Sequence, residues 1–346
     1  MSQANQDPAP QVAAPQTSSQ ASSQTNPLSS EQGLVQIGAP RGQRGTAKPK
    51  FTFNEAGERV RRREPGPRPD WLKVRYQRND TFKEIEELKA GLNLVTVCEE
   101  ARCPNIDECW SAGTATFMLM GDICTRRCGF CAVTKGAPRD LDPEEPAHTA
   151  EAIKRMKVRH AVITSVNRDE LPDGGAGHFA ETVRQIRAAS PSTRVELLVP
   201  DFMGDREALE LVLEAGAHIV AHNTETVPRL YRRVRPQGDY ERTLKVLKWI
   251  DEWPEVISKT GLMLGLGESD EEVEAVMSDL REVGCQILSL GQFLSPTTKH
   301  LPVERWVTPE TFQHFAELGR KMGFMHVESG PMVRSSYMAH RPFGEL

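Results

Sequence analysis

Six of the seven cysteines fall within 34 residues, as two triplets of different spacing. Cys98, Cys103 and Cys109 read C-x4-C-x5-C; Cys124, Cys128 and Cys131 read C-x3-C-x2-C. Soft thiolates in clusters of three favour iron–sulfur chemistry. Three of them hold a [4Fe–4S] cube by three irons and leave the fourth iron open. Two triplets predict two such cubes, and an open iron predicts an enzyme. Disulfides fit the pattern less well, since the cysteine count is odd and no secretory leader is recognisable. Structural zinc fits less well too. It usually takes paired C-x2-C knuckles with four local ligands, whereas the one C-x2-C here is Cys128–Cys131, and the nearest downstream histidine is His148. Cys285 stands alone and reads as a buried small hydrophobe. His300, His314 and His340 show no ligand spacing.

The run Cys124-Thr-Arg-Arg-Cys128-Gly-Phe-Cys131 resembles the signature of the radical S-adenosylmethionine (SAM) superfamily. With the x4–x5 triplet ahead of it, the chain is similar to the lipoyl synthases. Further blocks agree: Val162–Asp169, Asp173–Ala176, Leu198–Phe202, Thr224–Pro236, Gly261–Glu268 and Gly330–Tyr337. The resemblance covers about residues 69 to 342. It implies that the open iron held by Cys124, Cys128 and Cys131 chelates SAM, which is cleaved by electron transfer to methionine and a 5′-deoxyadenosyl radical. It implies that the cluster held by Cys98, Cys103 and Cys109 is the sulfur source and is consumed. Hydrogen abstraction and sulfur capture at C6 and again at C8 would convert a protein-bound octanoyl chain to lipoyl. The implied fourth ligand of the auxiliary cluster is a serine of Arg334-Ser335-Ser336-Tyr337, with Ser336 preferred over Ser335. An alkoxide is harder and more labile than a thiolate, which suits a cluster that must be dismantled. Arg334 would bind substrate or orient that motif. Phe130, Ser165, Asn223, Glu225 and Glu268 are candidate SAM contacts by strand-end position and superfamily analogy. The chain departs from the family at Asn167 and Met338, where aspartate and histidine are more usual.

Implied partners are octanoylated lipoyl-carrier domains, such as those of 2-oxoacid dehydrogenase E2 subunits and the glycine cleavage H protein. A reductant such as flavodoxin or ferredoxin and iron–sulfur carrier proteins complete the set. Three other functions fit the sequence less well. A methylthiotransferase carries further N- and C-terminal domains that do not fit this length. A biotin-synthase-like enzyme lacks the x4–x5 triplet. A non-catalytic electron carrier needs four cysteines per cube and no barrel.

The chain has 346 residues, 38% of them hydrophobic and 26% charged, as in an ordinary globular enzyme. A net charge of −5 gives no global nucleic-acid signal, and no 18-residue apolar run suggests a membrane span. Residues 1–50 are rich in Gln, Ser, Ala and Pro and read as a disordered tail. The first basic residue is Arg41, and Asp7 and Glu31 precede it, unlike a mitochondrial transit peptide. The expected location is therefore the cytoplasm of a bacterial-type cell. Eight basic side chains over 59–78 suggest a solvated extension or a docking surface for an acidic partner.

From residue 115 short apolar runs alternate with amphipathic helices, which predicts a parallel sheet. Strands are expected at Thr116–Met120, His160–Thr164, Arg194–Val199, His218–His222, Gly261–Gly265 and Gln286–Gly291. Helices are expected at 81–90, 146–157, 176–189, 205–215, 239–251, 269–283 and 309–322, with Gly91 capping the first. The resemblance implies an α/β fold, a partial (β/α)6 TIM-like barrel of radical SAM type with cluster-binding extensions at both ends. The boundaries are a tail over 1–50, an N-terminal extension over 51–114, the barrel over 115–323 and a C-terminal extension over 324–346. Chemistry in such barrels sits at the C-terminal strand ends, where the candidate residues fall. Reconstituted protein should carry about eight irons and about eight sulfides per chain, as two cubes require. Stoichiometric zinc, or only about half that iron after full reconstitution, would refute the two-cluster expectation.

Overall fold

The apolar runs pair in parallel, each with its neighbour in sequence. In this computed structural model, β1 (Thr116–Leu119), β2 (His160–Ser165), β3 (Arg194–Leu198), β4 (Ile219–Ala221), β5 (Ile257–Leu264) and β6 (Ile287–Gln292) lie side by side in chain order. The structure describes residues 66–74 and 78–343, with the backbone of Phe51–Phe53 and Arg59–Arg61. The expected tail over 1–50 lies outside the described residues, as do the side chains of Arg59, Arg61, Arg62, Arg63 and Arg75 from the basic run.

A seventh strand, β7 (His326–Gly330), pairs in parallel with β6, Ile287 opposite His326. Sequence reading assigned this segment to the C-terminal extension. His-Val-Glu-Ser-Gly carries one aliphatic residue and shows no apolar run, so neither strand pattern is visible. β1 and β7 are the two edges of the sheet, and the barrel is an open arc.

The helices follow the strands as expected: α4 (Glu145–Arg155), α5 (Ala176–Ala189), α6 (Arg206–Glu214), α8 (Tyr240–Asp251), α9 (Asp270–Glu282) and α10 (Pro309–Lys321). Ser269 and Glu272 close a capping box on α9, so its acidic first turn is satisfied twice over. A short helix, α7 (Tyr231–Val234), intervenes before α8. Alternation of strand and helix buries Val, Ile and Leu on both faces of the sheet, with Phe179, Phe312 and Phe315 fully enclosed.

β5 begins four residues before the expected start. Its extra residues, Ile257-Ser-Lys-Thr260, look polar, yet Lys259 is buried and its Nζ donates to Glu196 at 2.5 Å. Glu196 also accepts from His160 Nε2 at 2.9 Å. Burial pushes the Glu196 carboxyl up, but Lys259 and His160 more than offset it and hold the group below its ordinary value. Each member of this trio neutralises another, which lets charge occupy a strand interior.

Ahead of the barrel, α1 (Asp80–Gly91), α2 (Val97–Glu100) and α3 (Ile106–Ser111) carry the first cysteine triplet. Asn79 caps α1 by accepting the Phe82 N–H at 3.0 Å. Gly91 is not the cap: it ends the helix, and the left-handed turn falls on Asn93 at φ 53°. Asparagine tolerates that region better than most side chains. Phe82, Ile85 and Trp110 form a second small core with Cys98. The Val95 carbonyl accepts from Met118 N at 2.9 Å, fastening this region to β1.

The C-terminal segment crosses the end of β6 at Gly291, where a Cβ would overlap the Val333 carbonyl. Asn105 donates to the Met332 carbonyl at 2.8 Å and ties the same segment to the α2–α3 turn. Gly291→Ala should therefore destabilise the protein by about 1–3 kcal/mol through overpacking. Protease sensitivity after residue 330 should rise with it. Unchanged melting and cleavage patterns would show that this crossing is not tight.

Candidate active site

The C-terminal ends of the strands and the loops that follow enclose a cavity of about 610 Å³. Cys98 and Cys103 line it from the N-terminal extension; Cys124, Cys128 and Cys131 line it from the loop after β1. Cys109 does not reach the cavity wall; it packs beside Cys103 in the small Phe82–Trp110 core. All six are free thiols.

The donor set fits iron–sulfur clusters. Burial pushes the Cys98 thiol up to about 11, with Cys103 adding to the shift. Burial likewise lifts Cys109 to about 12, with Cys103 and Cys98 adding to it, and Cys131 to about 12, where Cys128 and Cys124 contribute. Three thiolates crowded out of water repel one another, and bound iron supplies the missing positive charge. Among the described residues no three His, Cys, Asp or Glu side chains stand close enough to hold a single ion. Ligands of a cube each bind a different iron and stand farther apart.

The Cys124–Cys131 loop is pinned along its length. Asn167 N donates to Cys124 Sγ at 3.3 Å, and Thr125 Oγ1 donates to the Asn167 carbonyl at 3.0 Å. Arg127 N reaches Gln237 Oε1 at 2.7 Å. Gly129 donates to the Val234 carbonyl at 2.8 Å and accepts from Leu301 N at 3.0 Å. A Cβ at Gly129 would sit 2.9 Å from Leu301, so glycine permits this approach. His300 Nε2 and Lys135 Nζ both donate to the Cys131 carbonyl, at 3.0 and 3.1 Å.

The strongest anchor is Arg126, only 3% exposed. It makes a bidentate pair with Asp169 at 2.7 and 2.8 Å and reaches Asp201 at 2.5 Å. Burial disfavours its charge, but the two carboxylates hold it more firmly protonated than an ordinary arginine. Burial raises the Asp201 carboxyl, and Arg126 reverses that, leaving it well below the usual range. Arg242 completes the group by donating to Asp201 at 3.2 Å. Sequence reading missed Arg126 as a functional residue, although its place between Cys124 and Cys128 and the acids at the ends of β2 and β3 were both visible.

Among the expected SAM contacts, Phe130, Ser165, Asn223 and Glu225 line the cavity. Ser165 Oγ, Asn223 Oδ1 and Asn167 Oδ1 are buried there without a hydrogen-bond partner. Buried polar atoms are normally satisfied, so these three fit a polar ligand. Glu225 lies at φ 68°, a left-handed conformation unusual for glutamate, and its backbone bridges to β5 on both sides of Leu262. Burial raises its carboxyl, with Arg235 and Asn223 opposing. Arg235, another residue missed from sequence, donates to the Asn223 carbonyl at 2.6 Å. His222 is buried on the wall and pushed down to about 4 by burial and by Arg235, so it is neutral near pH 7.

Glu268 does not join this group. Its carboxylate accepts from Gly265 N at 2.6 Å and Leu266 N at 2.9 Å, folding back on its own loop, and it is absent from the cavity wall. Its expected place as a SAM contact is corrected accordingly: it shapes the turn after β5.

Arg334, Ser335 and Ser336 line the cavity from the C-terminal segment. Arg334 lies next to Cys103: burial weakens its hold on the proton and the Cys103 thiolate opposes that. Tyr337 OH donates to Glu108 at 3.1 Å, a second tie between this segment and α3. Cys285 is fully buried, away from the cavity.

A family model described as the radical SAM superfamily matches residues 118–280. The chain is 57% identical over 274 residues to a lipoyl synthase of Rubrobacter xylanophilus, covering 79% of this chain and 85% of the relative. It is 53% identical over 273 residues to one of Caldanaerobacter subterraneus subsp. tengcongensis, covering 79% and 95%. The fold is similar to a crystal structure of methylornithine synthase, at TM-score 0.50 and 15% identity over 69% of this chain and 73% of that one.

Arg126→Met removes a partner of two acids and leaves buried Asp201 with Arg242 alone, at 3.2 Å. Loss of one partner of a buried pair costs about 3–5 kcal/mol. The variant should melt at lower temperature and hold less iron at the Cys124–Cys131 site, while Arg126→Lys should recover part of both. A melting temperature within error of the parent would contradict the anchoring role.

Proposed function

This chain belongs to the lipoyl synthase family, and from that premise we propose how its own residues divide the work. The enzyme is a radical SAM sulfurtransferase that inserts sulfur at C6 and C8 of a protein-bound octanoyl-lysine to give the lipoyl cofactor. Two [4Fe–4S] clusters and SAM supply the radical that takes hydrogen from an unactivated carbon, and the sulfur that replaces it. One observation supports our assignment of the residues above all: Cys98 and Cys103 of the first triplet line the same cavity as Cys124, Cys128 and Cys131.

In our reading Cys124, Cys128 and Cys131 hold the SAM-cleaving cluster, and the Arg126 group fixes their loop. Ser165, Asn223 and Glu225 orient SAM through its polar groups, with Phe130 beside its base. Cys98, Cys103 and Cys109 hold the auxiliary cluster, and Ser336 is its fourth ligand. The apolar wall, with Met263, Phe293 and Val303, receives the octanoyl chain and excludes water from the reacting carbons. Arg334 orients the serine motif next to Cys103.

The substrate is presented on lipoyl-carrier domains. We assign the specific carriers to the 2-oxoacid dehydrogenase E2 subunits and the glycine cleavage H protein. Electrons would come from flavodoxin or ferredoxin, and iron–sulfur carrier proteins would rebuild the auxiliary cluster. All of these place the work in the cytoplasm. Among the described residues no helix is long and apolar enough to cross a membrane.

Reconstituted variants separate the two roles with SAM, dithionite and an octanoyl-lysyl peptide. Cys128→Ala should form no 5′-deoxyadenosine. Cys103→Ala should still form it but add no sulfur mass to the peptide. Ser336→Ala should keep most of its iron yet lose insertion, and Ser335→Ala should be milder. Full lipoyl formation by Cys103→Ala would refute the sulfur-donor assignment, and a harsher Ser335→Ala would move the ligand to that residue.

A further inference from the structure

The outer side of the Cys124–Cys131 loop is ringed by exposed cations that none of the chemistry above uses. Arg127 directly precedes Cys128, so their Cα atoms are about 3.8 Å apart. Arg232 lies in α7, two residues before Val234, whose carbonyl holds Gly129. Lys299 lies two residues before Leu301, which holds Gly129 from the other side, and next to His300, which holds the Cys131 carbonyl. All three side chains are exposed. Among the described residues the nearby Arg233 is paired with Glu304 at 2.6 Å and Lys135 is bonded to the loop, but Arg127, Arg232 and Lys299 have no ion-pair partner. Three exposed cations whose backbones border one loop stand out in a chain of net charge −5. Such a patch steers an acidic protein toward it.

Two kinds of protein have reason to visit this enzyme, a carrier of the substrate and a donor of electrons. The substrate chain must enter the cavity, and none of the three cations lines it. A donor needs only to come close to the thiolates of the cluster, and these cations flank the backbone that carries them. We propose that Arg127, Arg232 and Lys299 form the docking face for an acidic one-electron carrier protein. The proposal rests on the reading that Cys124, Cys128 and Cys131 hold the SAM-cleaving cluster. The balance is simple: for each SAM cleaved the donor loses one electron, and the S–C5′ bond takes it up and breaks to methionine and the 5′-deoxyadenosyl radical.

The test uses the full-length reconstituted chain carrying Arg232→Glu and Lys299→Glu, both outside the Cys124–Cys131 loop. 5′-Deoxyadenosine formation is driven either by dithionite or by an acidic flavodoxin with its reductase. With dithionite the variant should match the parent. With flavodoxin at low salt it should be slower by about tenfold or more, and the parent's own flavodoxin-driven rate should fall as salt rises. An unchanged flavodoxin-driven rate overturns the proposal. So does a variant that keeps that rate but loses dithionite-driven turnover of an octanoylated carrier domain, since the patch would then serve the substrate protein. If dithionite-driven cleavage falls, the loop itself has been disturbed. The pair Arg232→Gln and Lys299→Gln then decides by the same flavodoxin comparison. Failure of the parent to cleave SAM with dithionite would instead overturn the cluster assignment.

Discussion

The active site depends on one buried charge. Arg126 sits between Cys124 and Cys128, and its guanidinium binds Asp169 and Asp201 beyond the ends of β2 and β3. A loop of eight residues with two cysteines at its ends and one within has little internal structure of its own. The bidentate fork of arginine gives it a fixed direction that a lysine ammonium does not provide. Arg242 extends the constraint to α8, so three barrel units set the position of one loop. The remaining backbone bonds, from Gly129 to Val234 and Leu301, work as fine adjustment on a loop already oriented.

The opposite wall is built by a different principle. The first triplet rides on short helices outside the barrel, seated by a small core of Phe82, Ile85 and Trp110 and by a single antiparallel bridge from Thr96 to Phe117. Asn105 and Tyr337 then tie it to the C-terminal segment that brings Arg334 and the two serines to the cavity. Leu94 also joins the main core, with Leu88, Leu92, Val95 and Val97 packed against it. Apolar packing therefore seats this wall on the barrel and polar bonds tie it to the C-terminal segment, whereas a buried ionic group holds the Cys124–Cys131 loop.

Much of this was legible beforehand. The six strands, the order of the helices and the cysteine triplets all follow from period, spacing and residue type. What was hidden shares one cause: polar residues whose partners are distant in sequence. β7 was invisible because His326 and Glu328 pair with each other and Glu328 with Arg341, so a strand interior reads as a loop. The start of β5 was invisible because Lys259 finds Glu196, 63 residues away. Arg126 and Arg235 were passed over because an arginine in isolation reads as a surface group. Glu268 misled in the opposite sense, since an acid after a glycine-rich strand end suggests a ligand contact until its two backbone donors are seen.

The two buried ionic groups lie toward opposite ends of the same strands, and their placement explains why both are tolerated. Glu196 and Lys259 lie near the strand starts, with His160 at the first residue of β2. Asp169 and Asp201 lie past the strand ends. The carboxyl of Glu196 is shifted by Lys259 and His160, and that of Asp201 chiefly by Arg126, so each group answers to its own partners. Glu196 and Asp201 are each held ionised by their own cations against the effect of burial, and each therefore stabilises the fold only while ionised. As pH falls through each depressed value that contribution is lost, one from the scaffold and the other from the cysteine loop. Acid therefore weakens both regions, because the residues that orient the loop are stabilised by the same kind of interaction as the residues that hold the strands.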